Sequence, residues 1–308
     1  MVKEGKKLHK LTGAIRRSKS DRLFDLINSV LLSAVLLCIV YPLWFVVIAS
    51  LSDPNAVNSG NVLFWPVNST LEGYQKVFAY SKLWHAYGNT IRYLLIGTAI
   101  NVTLTATGAY ALSRKEVIIR RPVMIMITFT MIFSGGLVPT FITVKNLGLY
   151  NNMWAMILPS AISAYNLIVA RTFFESSLPE ELSESAALDG CTDIGFFIKI
   201  ALPLSPAILA VLVLFYGVAH WNAYFNALIY LKDASLNPLQ IELRELLITQ
   251  QILQSGLDLD ASSMAEKQRL GDIMKFAVII VSSVPIICVY PFLQKYFVKG
   301  VMVGAIKG

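Results

Sequence analysis

Apolar positions along this chain gather into long runs separated by polar segments, and the lengths of the runs decide what they can be. The first, residues 27–51, would make about 37 Å of helix at about 1.5 Å per residue, more than the roughly 30 Å of a bilayer's hydrocarbon core. It is too long for the core of a signal peptide, which runs to about 7–15 residues, so the pattern predicts a retained span. Five more spans are predicted at about 90–112, 123–142, 153–174, 200–218 and 273–297. Gly and Thr residues in the second suit close packing between helices. Asn101, in the same run, could line a solute path or tie two helices together, and the interhelical bond is the reading adopted. The third run is interrupted by S-G-G-L-V-P, residues 134–139. At membrane depth such a break frees backbone groups that neighbouring helices or a wet cavity must satisfy, and packing and path-lining both remain open for it.

Between the fourth and fifth runs lies a short polar stretch, S-L-P-E-E-L-S-E-S-A-A-L-D-G, which predicts a helix over about 178–189. Ser177 followed by Glu180 fits a capping box, Pro179 is tolerated in the first turn, and Glu180, Glu181 and Glu184 sit toward the positive end of the helix dipole. Gly190 is placed to end the helix in the left-handed conformation. A lipid-surface helix facing anionic headgroups carries Lys and Arg; this one carries carboxylates and small residues, which favours docking against a protein.

Composition agrees with a membrane solvent. Hydrophobic residues make up 56% and charged residues 15%, against about a quarter charged in soluble domains. The net charge of +7 does not form a basic stripe interleaved with aromatics, which argues against a nucleic-acid partner. Lys and Arg collect instead at the ends of apolar runs. Eight lie in residues 1–23 and four in the segment 113–122. By the positive-inside rule these segments are cytoplasmic, giving six spans, both termini inside, and an extracellular segment at about 232–272. The domain expectation is a basic tail, residues 1–23, followed by one membrane domain, 24–308. Cys38, Cys191 and Cys288 lack the spacing of a metal or redox motif and are expected to be small core residues.

The polar stretch also carries a longer pattern. Glu184-Ser185-Ala186, three residues, Gly190, nine residues, and Ile200-Ala201-Leu202-Pro203 resemble the EAA motif, E-A-A-x3-G-x9-I-x-L-P, of membrane subunits of binding-protein-dependent ABC importers. Ser185 for the first Ala is the one departure, small for small. The stretches H-W-N-A-Y-F-N-A-L-I-Y-L (220–231) and K-G-V-M-V-G-A-I-K-G (299–308) are similar to maltose-type carbohydrate permeases. F-S-G-G-L-V-P-T-F (133–141) resembles a Firmicute branch associated with complex oligosaccharides.

The resemblance implies an all-α, six-span type I importer permease in a bacterial cell membrane. It implies pairing with a second, different permease subunit, two ATP-binding subunits that carry ATP and Mg, and an extracellular solute-binding lipoprotein. The EAA helix becomes the coupling helix, with Glu184, Ser185, Ala186, Leu188, Asp189 and Gly190 as its contact set and a basic group on the ATPase expected opposite Glu184. No cofactor is expected on this chain. Sugars are recognised by ring stacking and by amide and hydroxyl bonds, chemistry that Tyr216, His220, Trp221, Asn222, Tyr224, Phe225 and Asn226 offer. Helical spacing turns some of these elsewhere, and Trp221 and Tyr224 could instead be interfacial anchors.

Two other classes fit the residues less well. An enzyme needs a catalytic constellation, but Gly5-Lys6-Lys7 lacks the phosphate-loop frame, neither H-E-x-x-H nor G-x-S-x-G occurs, and His9, His85 and His220 are dispersed. An ion-coupled secondary transporter needs ionisable residues inside its spans, and the six runs hold almost none. A peptide or other non-sugar cargo would keep the same fold.

Overall fold

A computed structural model describes residues 19–254, 271–289 and 291, and among these every regular element is helical. The chain divides into two compact units, residues 1–70 and 71–308. In the first, α1 (Lys19–Ser50) is followed by the short α2 (Pro54–Asn58). Apolar side chains stand exposed along most of α1, as lipid contact requires. Its C-terminal end is fastened locally, with the Trp44 indole donating to the Phe64 carbonyl at 3.0 Å and Ile48 packed with Ala56 and Val62.

The second unit is organised on α4 (Ser81–Ser113), which follows α3 (Glu72–Ala79). This helix begins nine residues before the apolar run predicted at Thr90. Lys82, His85 and Arg92 interrupt the hydropathy there, but Leu83, Ala86, Tyr87, Thr90 and Tyr93 form a buried face at helical spacing. Against α4 pack α8 (Ala164–Ser177) and α12 (Pro206–Trp221) most extensively, and also α14 (Leu239–Gln254). The helix α15 (Gly271–Val289) is joined to it by the Tyr87 hydroxyl, which donates to the Val281 carbonyl at 2.5 Å.

Among the described residues, three helices are each long and apolar enough to cross a membrane: α1, α4 and α15. The other three predicted spans are bent pairs. α5 (Arg120–Ile132) and α6 (Leu137–Asn146) meet at 118°, with the break at the predicted S-G-G. α7 (Trp154–Ile157) runs through a 3-10 turn at Leu158–Ser160 and meets α8 at 52°, a break the sequence reading did not anticipate. The third pair covers the predicted fifth span and breaks it near its start. α10 (Asp193–Phe196), a π turn at Phe197–Ala201 and α11 (Leu202–Leu204) form one arm, set at 83° to α12 across Ser205. Pro206 can begin a helix but not continue one unkinked, so α12 starts at 206, and residues 200–204 of the predicted span lie on the preceding arm. With each bent pair counted as one, the candidate spans among the described residues number six.

Cys38 and Cys288, expected in a core, are exposed on α1 and α15; Cys191 is half-buried. Residues 1–18 of the N-terminal tail, the 255–270 part of the expected extracellular segment, the end of the sixth span and the terminal K-G-V-M-V-G-A-I-K-G lie outside the described residues, while residues 19–23 of the tail form the first turns of α1.

Candidate functional site: a docking helix and a polar cleft

The polar stretch forms α9 (Glu180–Leu188), and its start differs from the expected one. Ser177 belongs to the last turn of α8, Pro179 occupies the N-cap position of α9, and no side chain caps the helix. The capping box therefore does not form: its serine is already committed to the preceding helix. What anchors the start is external. The Arg114 guanidinium donates to Ser183 Oγ at 2.5 Å, and Lys115 Nζ lies 2.6 Å from Glu180 Oε1. The Lys115 hydrogen bond is the main reason the Glu180 carboxyl titrates below its ordinary value. Arg171, which donates to the Leu112 carbonyl at 2.9 Å, also pairs with Glu175, tying α8 to the end of α4.

The helix ends as expected. Gly190 has φ +77°, its N–H donates to the Ala187 carbonyl at 3.0 Å, and the Cys191 N–H donates to the Ala186 carbonyl at 2.9 Å. These are the paired bonds of a Schellman motif, which puts a glycine in the left-handed position and turns the chain toward the next arm. Thr192 then caps α10, its hydroxyl accepting from the Gly195 N–H at 3.1 Å.

Of the six residues assigned to docking, Glu184, Ser185, Leu188, Asp189 and Gly190 are exposed, Leu188 at 90%. Ala186 is turned the other way, 8% exposed and packed into the chain's own core. That core is continuous. It joins Ala186 and Leu178 to Phe174 of α8, Ala109 and Leu112 of α4, Phe196 and Ala201 of the next arm, and Ile208, Leu212 and Tyr216 of α12.

Around the second half of α12 the polar residues converge on a cleft of about 360 Å³. Tyr216, His220, Asn222, Tyr224, Phe225 and Asn226 line it from α12 and the turn into α13 (Phe225–Tyr230), with Ser160, Ser163 and Asn166 facing them from the α7–α8 break. Trp221 is not among them. One residue on from His220 it is rotated by about 100°, is buried, and meets the Tyr87 ring edge-on at 5.9 Å. No residue of the broken α5–α6 pair lines this cleft.

Two of the lining residues are held by a buried network. His220 Nε2 and Asn101 Oδ1 are 2.7 Å apart, and the Asn101 amide donates to the carbonyls of Ser160 and Ala161, both at 2.8 Å. These carbonyls have lost helical partners at the break, so a single asparagine supplies what backbone at membrane depth demands. The Tyr216 hydroxyl contacts Thr105 Oγ1 at 2.7 Å and accepts from the Ser163 N–H at 3.0 Å. Ser163 Oγ in turn caps α8 by accepting from the Asn166 N–H. The His220 ring reaches Asn101 because Gly97 stands opposite: a Cβ there would fall 2.3 Å from His220 Nε2. Asn101 thus makes the interhelical bond expected of it. The sequence reading missed Gly97 as the space and Ser160, Ser163 and Asn166 as the facing wall, although polar residues at spacing i, i+3, i+6 inside an apolar run were a readable signal.

A bundle of bent spans, an exposed polar helix ended by a Schellman glycine and a hydroxyl- and amide-lined cleft define a class of membrane transport subunit. The chain belongs to the family described as the binding-protein-dependent transport system inner membrane component, whose model matches residues 105–303. It is 41% identical over 290 residues to the polygalacturonan/rhamnogalacturonan transport system permease protein YtcP of Bacillus subtilis, covering 94% of this chain and 99% of that protein. It is 37% identical over 294 residues to LplC of the same organism, covering 96% and 98%. Among solved structures it superposes with a TM-score of 0.83 and 33% identity on a chain of a bacterial ABC transporter that imports the acidic polysaccharide alginate, covering 91% of this chain and 99% of that one. The chain is therefore an all-α permease of the ABC importer type, a membrane protein whose family works with ATPase and solute-binding partners.

Proposed function

We propose that this chain is the transmembrane subunit of an ATP-driven importer that moves an oligosaccharide inward by alternating access. The observation that carries this is the continuous apolar core from Ala186, on the inner face of α9, to Tyr216, on the wall of the cleft. A close-packed core transmits displacement rather than absorbing it. Glu184, Leu188 and Asp189 on the exposed face of α9 dock in a groove of an ATP-binding subunit, and closure of two such subunits draws the docking helices together and retilts α12 and α8 at the cleft. ATP and Mg stay on those partners; this chain contributes leverage and the path. A second, different permease subunit completes the path, and a solute-binding lipoprotein delivers cargo from outside.

The basic residues 1–23 support a cytoplasmic N-terminus, and an even number of spans would return the C-terminus to the same side. Polygalacturonan/rhamnogalacturonan in the name of one relative and alginate in the description of the solved transporter support a carbohydrate cargo, as do the rings and amides of the cleft.

A direct test replaces Leu188 with Cys in the assembled transporter and reads cross-linking to the ATPase subunit, together with oligosaccharide uptake by Glu184→Lys. Cross-linking that changes with nucleotide, and lost uptake, are expected. Absence of cross-links together with normal uptake would overturn the docking assignment.

A further inference from the structure

The polar groups of the cleft fall into two sets, those spent on holding its wall and those left over. The Tyr216 hydroxyl belongs to the first: it accepts from the Ser163 N–H at 3.0 Å and meets Thr105 Oγ1 at 2.7 Å, so the ring alone remains for a ligand. The Asn101 amide is spent as well, and it decides what His220 can do. Both bonds from Asn101 Nδ2 go to carbonyls, which only accept, so Oδ1 is the atom that faces His220 and Nε2 must donate to it. A neutral imidazole then carries its lone pair on Nδ1. Among the described residues nothing hydrogen-bonds to that nitrogen.

Asn166 is the clearest member of the second set. It sits in the first turn of α8, where its backbone N–H is taken by the Ser163 cap, yet its side-chain amide bonds to nothing among the described residues. The residue is 7% exposed, and His220 5%. Among the described residues that are not exposed, side-chain polar atoms both sealed from solvent and unbonded belong to Thr98, Ser205 and Glu242. The Asn166 amide and His220 Nδ1 are not of that kind, so they open on the cleft that both residues line.

An amide withdrawn this far from solvent, with its N–H groups and carbonyl unbonded by protein, is costly unless something in the cavity bonds it. The cleft volume of about 360 Å³ falls in the range of about 300–1,000 Å³ typical of small-molecule sites. Adjacent hydroxyls of a pyranose match a primary amide: one donates to Oδ1 while its neighbour accepts from Nδ2. The His220 nitrogen takes the proton of a further hydroxyl, and the Tyr216 ring offers a face for stacking.

We propose that Asn166 is a specificity-determining residue for import, its amide hydrogen-bonding ring hydroxyls of the sugar in the cleft together with His220 Nδ1. This rests on the oligosaccharide reading above and names the groups that read the cargo.

Because the Asn166 amide holds no other part of the described chain, replacing it separates recognition from folding. Asn166→Leu keeps the approximate size and removes both bonding atoms. The test uses the intact transporter in proteoliposomes with its binding protein, and reads kcat/KM for uptake of trigalacturonate, or of maltotriose where that is the trimer carried. A fall of about ten- to hundredfold is expected, the effect of losing two hydrogen bonds between neutral groups. The thermal unfolding midpoint stays the same or rises, since a buried amide without a protein partner has been exchanged for an apolar side chain, and ATP hydrolysis stimulated by the unliganded binding protein is unchanged. Asn166→Ala shows the same loss of uptake, which sets aside steric blockage by the leucine. Uptake that is unchanged in both variants, or lost in step with the unfolding midpoint or with ATP hydrolysis, overturns the assignment while oligosaccharide import stands. If the unaltered, ATP-hydrolysing transporter takes up neither trigalacturonate nor neutral oligosaccharides, the oligosaccharide reading falls first and the assignment with it.

Discussion

The two ends of the molecule's working core are held by different physics. At α9 the entry and exit are set locally, by a proline entry, acidic residues in the first turn and a glycine exit whose bonds close within five residues, with Arg114 and Lys115 pinning the start. At the cleft it is long-range: Asn101 meets His220 across 119 positions of sequence and the Ser160 carbonyl across 59. Local structure leaves an exposed face, the one proposed to dock on an ATP-binding subunit. Long-range structure holds a wall of polar groups in place against a membrane interior that gives them no other partners. The docking end is expected to tolerate substitution thermodynamically yet fail functionally, and the cleft end to fail in both respects.

The sharpest way to break this contrast is at Gly97. A larger residue drives its Cβ into the His220 ring, which has to leave and take the Asn101 bond with it. Gly97→Leu is expected to destabilise the solubilised transporter by about 3 kcal/mol, from overpacking together with a lost buried hydrogen bond. Thermal unfolding followed by a tryptophan signal measures this, and an unshifted transition would mean that α4 and α12 are not clamped here.

Asn101→Leu is the next largest. It removes one bond to His220 and leaves the Ser160 and Ala161 carbonyls unpaired at the break. Interhelical bonds in membranes are individually modest, so the expected loss is about 2 kcal/mol. Hydrogen exchange at the N–H groups of residues 161–166 should rise selectively if the break loosens; unchanged exchange would show that it is held by other contacts.

Gly190→Ala sharpens the contrast from the other side. The left-handed conformation costs an alanine about 1 kcal/mol, and a Cβ there meets nothing within 4 Å. Stability should fall by no more than about that amount, while uptake and co-purification with the ATPase fall far more. Losses in proportion to stability would count against a docking role.

The same difference explains what could be read from the sequence. The helix α9 was legible because turn chemistry and fixed spacing are local properties: Gly190 announced its own φ, and the interval from Glu184 to Pro203 carried the family likeness. The capping box misread the helix start because Ser177 can serve as a cap only when the preceding helix has already ended. At the cleft the residue types were legible, and six of the seven aromatic and polar candidates line one cavity. Trp221 does not, since adjacent positions on a helix point in different directions. The facing wall required knowing that the fourth run breaks at residues 161–163, and Pro159 and the Ser163 cap were its only local signs.

The smallest effect is expected where α9 is pinned by charge. Lys115 hydrogen-bonds Glu180 and draws its carboxyl below the ordinary 4.5, while desolvation opposes this weakly enough that the net shift is downward. A carboxyl with a depressed folded-state value contributes stability that is present above its unfolded value and lost as pH falls through the folded one. The contribution should therefore be full at neutral pH and fade below about pH 4.5. Because both side chains are well exposed, water and salt screen the pair and its effect stays small. Unfolding curves of the unaltered transporter and of Glu180→Gln should differ slightly at pH 7, converge below pH 4.5, and converge at pH 7 in about 1 M salt. A difference that survives both acid and salt would mean that Glu180 holds α9 by packing, and the docking end would then share more of the cleft's long-range character than its exposed surface suggests.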